Sequence, residues 1–364
     1  MKKLLTVVGA RPQFIKAAAV SRALRDCGQF QEVVVHTGQH YDQNMSQTFF
    51  DELDMGLPSY NLEVASGSHA YQTGEILKRL DPVMVKERPE LVLVYGDTNS
   101  TLAAALTAAK LNVPVAHVEA GLRSFNRRMP EEINRVLTDH VSTLLFCPTT
   151  AAIKNLEREG IVSNVWSTGD VMFDVALQFS GKSKAKSTIL HDLGIRPNKY
   201  ILATVHRVEN TDQKDRLSNI FGGLGKISAE ISVVVPVHPR TRKMLHTFSL
   251  EHQLANIKII DPVGFLDMIA LESNAKLIAT DSGGVQKEAY FYRVPCVTLR
   301  GETEWVETVE ARWNILASVS TIDGILQALQ ASLTFSGQRS VISDYGDGTA
   351  SYKIVQALNE FFPA

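Results

Sequence analysis

The stretch Leu91-Val92-Leu93-Val94-Tyr95-Gly96-Asp97 runs from five consecutive apolar residues directly into a glycine and an acidic residue. A short apolar run rich in valine and leucine is typical of a strand buried on both faces of a parallel sheet. The acidic side chain follows at the carboxyl end of that strand, which is where open parallel sheets bind their ligands. The stretch therefore predicts an α/β fold whose functional groups lie at the strand ends.

Similar runs recur on both sides of this stretch, with helical segments between them. In the first half they cover residues 4–8, 32–36, 113–118 and 144–148. In the second half they cover residues 200–205, 232–237, 257–260, 276–280 and 295–299. Alternation of strand and helix predicts a doubly wound parallel sheet, and two such series predict two Rossmann-like domains facing each other across a cleft.

The length of 364 residues supports two domains, because a single hydrophobic core stops growing at a smaller size. The small, polar and basic stretch from Ser180 to Lys186 interrupts the pattern and predicts a boundary. We expect an N-terminal domain over residues 1–178 and a C-terminal domain over residues 179–346. A periodic helix over residues 350–361 follows Gly346-Asp347-Gly348, so residues 347–364 are expected to pack back across the domains.

Composition limits the possible partners. A net charge of -2 offers no overall attraction to nucleic acid or to an anionic membrane. The three cysteines, Cys27, Cys147 and Cys296, are far apart, which argues against a disulfide framework and a zinc site and favours a reducing cytoplasm. No apolar run approaches the length of a membrane span. Any anionic ligand must therefore be held by a local site.

Polar or small residues follow almost every predicted strand. They are Gly9, Arg11, Gln39, His40, Gly96, Asp97 and Glu119 in the first half, and His206, Arg207, His238, Asp281 to Gly284 and Arg300 in the second. Any one of them is more simply explained as a loop cap or a surface charge. The whole set, at equivalent ends of two facing sheets, predicts a functional site.

The clearest anion-binding pattern is Asp281-Ser282-Gly283-Gly284, which follows a strand and opens a helix. Glycines allow the backbone to approach a phosphate, and the free N–H groups of a helix amino end favour an anion. Glu288 lies one turn further along this helix, where it can accept hydrogen bonds from ribose hydroxyls or remain a solvated charge. The chain contains neither the dinucleotide-binding glycine motif nor a metal-ligand spacing, so no cofactor or metal is expected.

Carboxylates cluster in the first half. Asp97 and Glu119 follow consecutive strands, so they are expected to share one pocket and to separate each other's pKa values, which suits acid and base chemistry. Glu131 follows a proline at a favourable first helical position and lies four residues before Arg135, which also fits a plain surface ion pair.

Six ordered motifs resemble the non-hydrolysing UDP-N-acetylglucosamine 2-epimerases. They are Gly9 to Lys16, Gly96 to Ser100, His117 to Arg123, Pro130 to Arg135, His206-Arg207 and Asp281 to Glu288. The resemblance implies a glycosyltransferase-B-like fold, UDP bound in the cleft, no cofactor and a homodimer. It also implies a reaction in which UDP is eliminated to give a 2-acetamidoglucal and is then added back.

The resemblance also implies roles for individual residues. Those implied in catalysis are Asp97, Glu119 and Glu131, which handle protons, and His206, which lies near the departing phosphate. Those implied in binding the UDP-sugar substrate are Arg11, Lys16, Arg135, His238, Ser282, Gly283, Gly284 and Glu288, the last through the ribose. Which carboxylate acts as the base stays open.

Two motifs depart from the pattern of the N-acetylglucosamine branch, which reads Gly-Thr-Arg-Pro-Glu and Thr-Glu-Arg-Pro-Glu. Here the corresponding stretches are Gly9-Ala10-Arg11-Pro12-Gln13 and Thr303-Glu304-Trp305-Val306-Glu307, and the segment Gln39 to Met45 differs as well. These differences are similar to the branch acting on UDP-2,3-diacetamido-2,3-dideoxyglucuronate for surface polysaccharide, so that substrate is favoured over UDP-N-acetylglucosamine.

Other classes of protein remain as alternatives. A glycosyltransferase of the same fold would bind the nucleotide sugar at the Ser282 helix, although such transferases lack the three carboxylates. A hydrolysing epimerase would differ in admitting water to the glucal step. A nucleotide-sugar sensor would have no need of acid and base residues.

Overall fold

The computed structural model describes residues 1–39 and 47–362, so the predicted site residue His40 and the residues up to Met45 lie outside the described part. The strands are β1 (Lys2–Val8), β2 (Phe30–His36), β3 (Tyr60–Asn61), β4 (Leu91–Tyr95), β5 (Val115–Val118), β6 (Leu144–Cys147), β7 (Val165–Ser167), β8 (Tyr200–Thr204), β9 (Ser232–Pro236), β10 (Lys258–Ile260), β11 (Leu277–Thr280), β12 (Cys296–Thr298) and β13 (Asn314–Leu316).

Helices connect these strands. They are α1 (Arg11–Cys27), α2 (Gln47–Glu52), α3 (His69–Glu87), α4 (Asn99–Lys110), α5 (Pro130–Val141), α6 (Thr150–Arg158), α7 (Val171–Lys186), α8 (Ile189–Asp192), α9 (Val208–Thr211), α10 (Lys214–Ile227), α11 (Pro239–Thr247), α12 (Phe265–Ser273), α13 (Gly283–Phe291), α14 (Val306–Glu310), α15 (Ile322–Thr334) and α16 (Ala350–Phe361), with a 3₁₀ turn at Glu251–Leu254. Within the described ranges, no helix combines the length and apolar character that crossing a membrane requires.

The chain forms two compact units. Unit 1 consists of Met1–Leu177 and Ser343–Ala364, and unit 2 consists of Gln178–Ile342. The sheet of unit 1 has the strand order β3-β2-β1-β4-β5-β6-β7, and every pairing in it is parallel. The order reverses between β1 and β4, and loops that diverge at such a point leave a crevice for a ligand.

Unit 2 repeats this arrangement with the strand order β10-β9-β8-β11-β12-β13, again entirely parallel. Its order reverses between β8 and β11. The prediction of an α/β fold with two Rossmann-like parallel sheets is therefore confirmed.

Burial explains why the apolar runs form central strands. All five residues of β4 are buried, as are all five of β8, because helices cover both faces of each sheet. In unit 1, the alanine-rich α4 packs closely on the sheet together with α3, since small side chains allow a close approach. In unit 2, separate apolar clusters lie on the two faces of the sheet.

The composition of the stretch from Ser180 to Lys186 suggested an interruption of the regular structure. The structure shows no such interruption. The stretch forms the end of α7, and the division between the units falls within that helix, after Leu177. Lysine and alanine are good helix formers, and a side chain added at Gly181 would meet no atom within 4 Å, so this glycine disturbs no packing. The short strands β3, β7 and β13 were not predicted, because two or three residues carry too little periodicity.

The helix predicted at residues 350–361 is confirmed as α16, which packs against α1 within unit 1. The buried carboxylate of Asp174 in α7 accepts hydrogen bonds from the N–H groups of Ala350 and Ser351 and from the Ser351 hydroxyl, at 3.0, 2.7 and 2.7 Å. These bonds satisfy donors at the helix amino end, which would otherwise lack partners. The last segment of the chain is thereby fixed to unit 1.

Candidate active site

In unit 1, Asp97 and Glu119 follow two neighbouring strands, β4 and β5. Tyr95 and Val118, the last residues of these strands, are register partners, and Gly96 N–H donates to the Val118 carbonyl at 3.0 Å. Glu119 adopts a left-handed backbone with φ of 75°, which is unusual for a residue other than glycine. Such backbone strain is often found at functional sites. Both carboxyl groups therefore lie at the same edge of the sheet.

Glu119 forms an ion pair with Lys16 of α1, and both side chains are largely buried. Gly96, between the strand and Asp97, has a φ of 63°, and a Cβ atom there would lie 3.3 Å from Glu119 Oε2 and 3.6 Å from Lys16 Nζ. The glycine is therefore required both for the turn and for the space that this ion pair occupies.

Asp97 pairs with Arg135 of α5, with Asp97 Oδ2 and Arg135 Nη2 2.6 Å apart. Arg135 also lies 3.4 Å from Glu132, its neighbour one turn earlier. Burial raises the pKa of Asp97; Arg135 opposes this, while the charges of Glu119 and Glu131 reinforce it. These charges place Asp97, Glu119 and Glu131 in one electrostatic cluster, within which Asp97 holds its proton more tightly than an exposed aspartate.

Arg11 is the first residue of α1, directly after the turn that ends β1. That turn is held by the buried side chain of Gln13, whose Oε1 accepts from Gly9 N–H at 2.8 Å and from Ala10 N–H at 3.1 Å. Gln13 Nε2 donates to the Tyr95 carbonyl at 2.6 Å. One amide side chain thus links the ends of β1 and β4, the two strands at which the sheet order reverses.

In unit 2, the corresponding loops are joined by Asp281, which follows β11 and is fully buried. Its carboxylate accepts from the N–H groups of His206 and Arg207, which follow β8, at 3.1 and 3.0 Å, and from Asn210 Nδ2 at 3.1 Å. The His206 ring lies close to the same carboxylate, with Nδ1 and Oδ1 3.4 Å apart. Asp281 therefore orients His206.

The rings of His206 and His238 lie near each other, with 6.2 Å between their centroids. Burial lowers the pKa of His206; Asp281 opposes this, and the charges of Arg207 and His238 add to it. His238 is the N-cap of α11, where its Nδ1 accepts from Arg240 N–H at 3.2 Å. The lowered pKa favours the neutral form of the His206 ring, which can accept or donate a hydrogen bond.

Ser282, Gly283 and Gly284 form the amino end of α13, next to the Asp281 turn. A Cβ atom on Gly283 would lie 3.6 Å from the indole nitrogen of Trp305, 3.8 Å from Glu304 Oε2 and 3.9 Å from Arg207 Nη2. Trp305 is only 4% exposed, and Lys287 Nζ lies 3.9 Å from its ring centroid. A helix amino end beside an arginine and an indole N–H is suited to a phosphate group.

Glu288 lies one turn along α13, next to Glu272 of α12. Burial raises the pKa of Glu272 well above its ordinary value, and the charge of Glu288 raises it further. Since a protonated carboxyl group can donate to a carboxylate, Glu272 supports Glu288 as an ionised acceptor. Glu272 did not stand out in the sequence, because it lies within an apolar helical segment.

The predicted residues thus form one group in each unit. Unit 1 brings together Asp97, Glu119, Glu131, Lys16 and Arg135, with Arg11 at the nearby start of α1; unit 2 brings together His206, His238, Ser282, Gly283, Gly284 and Glu288. Glu132 and Asp139 were not predicted from the sequence, although the spacing of residues 131, 135 and 139 places Asp139 on the same helical face as Glu131 and Arg135.

Comparisons with known proteins show the family to which the chain belongs. The family model for UDP-N-acetylglucosamine 2-epimerase matches residues 22–359. The chain is 54% identical to a UDP-N-acetylglucosamine 2-epimerase homolog of Methanococcus maripaludis, covering 98% of this chain and 99% of the other. It is 48% identical to the UDP-2,3-diacetamido-2,3-dideoxy-D-glucuronate 2-epimerase of Pseudomonas aeruginosa, with coverage of 98% and 99%.

A solved structure is also similar. The UDP-GlcNAc 2-epimerase of Methanocaldococcus jannaschii, in complex with UDP-GlcNAc and UDP, superimposes with a TM-score of 0.92 at 44% identity, covering 98% of this chain and 99% of that one. The resemblance drawn from the six motifs is therefore confirmed, together with the class of enzyme that it implied. The chain belongs to the UDP-N-acetylglucosamine 2-epimerase family and is a non-hydrolysing UDP-sugar 2-epimerase, an isomerase.

Proposed function

We propose that this enzyme inverts carbon 2 of a UDP-linked N-acetylated amino sugar by eliminating UDP and adding it back. The observation that carries the proposal is the meeting of Asp97 and Glu119 at the ends of β4 and β5, with Glu131 close enough to affect the pKa of Asp97. Inversion requires one group to remove a proton and another to return one to the opposite face. Several carboxyl groups in different environments meet this requirement.

The reaction balances without an oxidant. A carboxylate takes the proton from carbon 2, the electron pair of that C–H bond forms the C1–C2 double bond, and the C1–O bond breaks to release UDP. A second carboxyl group then protonates carbon 2 on the opposite face while a phosphate oxygen of UDP re-forms the bond to carbon 1. The intermediate is a 2-acetamidoglycal. Asp97, which holds its proton more tightly, is suited to be the proton donor in one direction.

We assign the binding of UDP to the group in unit 2, and we propose that Arg11 of unit 1 binds the substrate. The amino end of α13 at Ser282 to Gly284 offers N–H groups to the phosphates, and His206 and His238 offer ring nitrogens to the departing oxygen. Preorganised donors stabilise the negative charge that grows on the leaving group. Glu288 is assigned to the ribose hydroxyls.

Among sugars, we favour the 2,3-diacetamido uronate over N-acetylglucosamine. The relative that acts on the uronate is 48% identical to this chain and the Methanococcus maripaludis UDP-N-acetylglucosamine 2-epimerase homolog is 54% identical, so overall identity does not decide the sugar. The choice rests on the motif departures at residues 9–13 and 303–307. Trp305 supports the same choice, because it departs from the arginine of the N-acetylglucosamine branch and its indole lies at the amino end of α13. We further propose that the enzyme acts as a cytoplasmic homodimer that serves surface polysaccharide synthesis.

Proton NMR in heavy water tests the reaction and the substrate together. The protein is added, without NAD or metal, to UDP-N-acetylglucosamine and separately to UDP-2,3-diacetamido-2,3-dideoxyglucuronate. We expect deuterium at carbon 2 and a new manno signal with the uronate. The same result with only UDP-N-acetylglucosamine would keep the mechanism and reject the substrate. Binding of UDP with no exchange in either sugar would reject the elimination mechanism.

A further inference from the structure

Behind the two loops that carry Asp97 and Glu119 lies a polar network with a fully buried centre. Its centre is His117 of β5, whose side chain is 0% exposed, as is that of its partner Asp139. His117 Nδ1 lies 2.6 Å from Asp139 Oδ1, and His117 Nε2 lies 2.7 Å from the carbonyl oxygen of Gly96. One imidazole ring thus connects a helix to the turn that precedes Asp97.

Asp139 connects the same ring to the second loop. Its Oδ2 accepts from Gly121 N–H at 3.1 Å and from Arg123 Nη1 at 2.7 Å. Gly121 lies two residues after Glu119, so this carboxylate anchors the loop that begins with Glu119. Arg123 is fixed in turn by Glu159, with Nε to Oε1 and Nη2 to Oε2 distances of 2.7 Å each.

Asp139 also lies on the same helix as the third proposed carboxylate, Glu131. Glu131, Arg135 and Asp139 are spaced four residues apart on α5, so they lie along one face of that helix. Arg135 pairs with Asp97, and Asp139 holds both loops from behind. The network therefore connects all three elements that present the proposed proton-handling groups.

Both ring nitrogens of His117 face acceptors. Burial raises the pKa of Asp139 and Arg123 lowers it, and Asp139 Oδ2 accepts from both Gly121 N–H and Arg123, so Asp139 is an ionised acceptor. The second acceptor is a carbonyl oxygen, which has no proton to give. The ring satisfies both acceptors only when it donates from both nitrogens, as an imidazolium.

We propose that His117 and Asp139 are positioning residues that hold Asp97, Glu119 and Glu131 in the relative positions needed for proton transfer, with His117 donating from both ring nitrogens. The inference rests on the proposed function, since it assigns these residues to the same reaction. It also predicts a protonation state that can be measured without any substrate.

The kinetic test uses His117→Gln and Asp139→Asn, with His191→Gln, whose side chain is 94% exposed in unit 2, as the control. The first two variants should lower kcat by roughly 100-fold, because a small misplacement of reacting groups has an effect of that size. Their Kd for UDP should stay within about twofold of the wild-type value, since UDP binding is assigned mainly to unit 2. Folded variants that keep the wild-type kcat would overturn the proposal.

The second test does not depend on a variant folding. In the wild-type protein labelled with ¹⁵N-histidine, both nitrogens of the His117 ring should show shifts of protonated nitrogen at pH 7, with protons that exchange slowly. An unprotonated nitrogen on that ring would overturn the proposed protonation. If the wild-type protein incorporates deuterium at carbon 2 of neither sugar, the proposed function fails. The nitrogen spectrum of the His117 ring still decides whether both ring nitrogens are protonated.

Discussion

At the scale of single residues, the site depends on charged groups that are partly withdrawn from water. Asp97 is paired with Arg135 and Glu119 with Lys16, yet both acids remain near enough for their charges to interact. Pairing each carboxylate with a cation allows several acids to share one edge of a sheet, because the cations offset their repulsion. Removing one charge should therefore affect chemistry more than folding.

We expect Asp97→Asn, Glu119→Gln and Glu131→Gln to lower the rate of deuterium incorporation at carbon 2 by about 100-fold or more, since proton transfer by a positioned group contributes at least that much. The affinity for UDP should be retained and can be measured by calorimetry. Glu90→Gln, which alters an exposed pair with Lys2 and a 3.4 Å hydrogen bond from Lys3 N–H, is the control. Preserved turnover in all three variants would remove these carboxylates from the mechanism.

The close approach at Gly9 gives a prediction about stability. A Cβ atom there would lie 2.0 Å from Ser100 Oγ and 2.4 Å from Thr37 Oγ1, so Gly9→Ala must displace the end of β1. We expect the free energy of unfolding to fall by about 1–3 kcal/mol, as in other overpacked sites. Gly56→Ala, where no atom lies within 4 Å, should have little effect. Equal stability of both variants in urea titrations would contradict this assignment.

His36 gives a prediction about pH. Burial lowers its pKa to about 4, and a backbone hydrogen bond with Gly9 opposes this shift. The rings of His36 and Phe14 pack in a T-shaped arrangement with 5.0 Å between their centroids. Because the unfolded chain takes up this proton near pH 6.5 and the folded chain only near pH 4, stability should decline as the pH falls through that window.

The contribution of His36 is at most about 3 kcal/mol, since its ring is only partly buried. His36→Gln should flatten the fall in unfolding free energy between pH 6.5 and 4, measured by urea titration at each pH. His191→Gln should keep the wild-type slope, because that ring is 94% exposed. Identical slopes for wild type and His36→Gln would show that the ring does not titrate abnormally.

At the scale of elements, the packing of α16 on unit 1 depends on one buried carboxylate. Asp174→Ala leaves the N–H groups of Ala350 and Ser351 without their acceptor, which should destabilise α16 by about 2 kcal/mol. Hydrogen exchange of the amides in Ala350–Phe361 should become faster. Asp347→Ala removes a side chain that is 68% exposed at the start of the same helix and should change this exchange much less. Unchanged amide exchange in Asp174→Ala would show that the Asp174 carboxylate does not stabilise the start of α16.

At the scale of the whole molecule, the chain completes unit 2 before it returns to finish unit 1 at Ser343. Ile354, Val355 and Leu358 of α16 are buried in unit 1. Deleting residues 343–364 should therefore lower the stability of unit 1 by about 5 kcal/mol, from the loss of buried apolar surface. Hydrogen exchange should accelerate in β1 and stay unchanged in β8. Equal acceleration in both strands would show that the two units do not unfold separately.

Much of this protein is determined by the sequence alone. The apolar runs at residues 91–95 and 200–204 and the periodic helix at residues 350–361 appear in the structure as β4, β8 and α16. The residues at the strand ends were also predictable, because a parallel sheet places all its carboxyl ends at one edge. Local patterns report burial and chain direction, and these suffice to predict which loops meet.

Other features were decided only by tertiary structure. Local patterns do not predict the continuation of α7 through Ser180 to Lys186 or the pairing of Arg135 with Asp97. Nor do they predict the place of Asp139 behind the loops that carry Asp97 and Glu119. The partner of a charged side chain depends on which elements pack together, and those partners are distant in sequence. A buried charge is tolerated only where such partners surround it, so its role becomes visible only when the chain has folded.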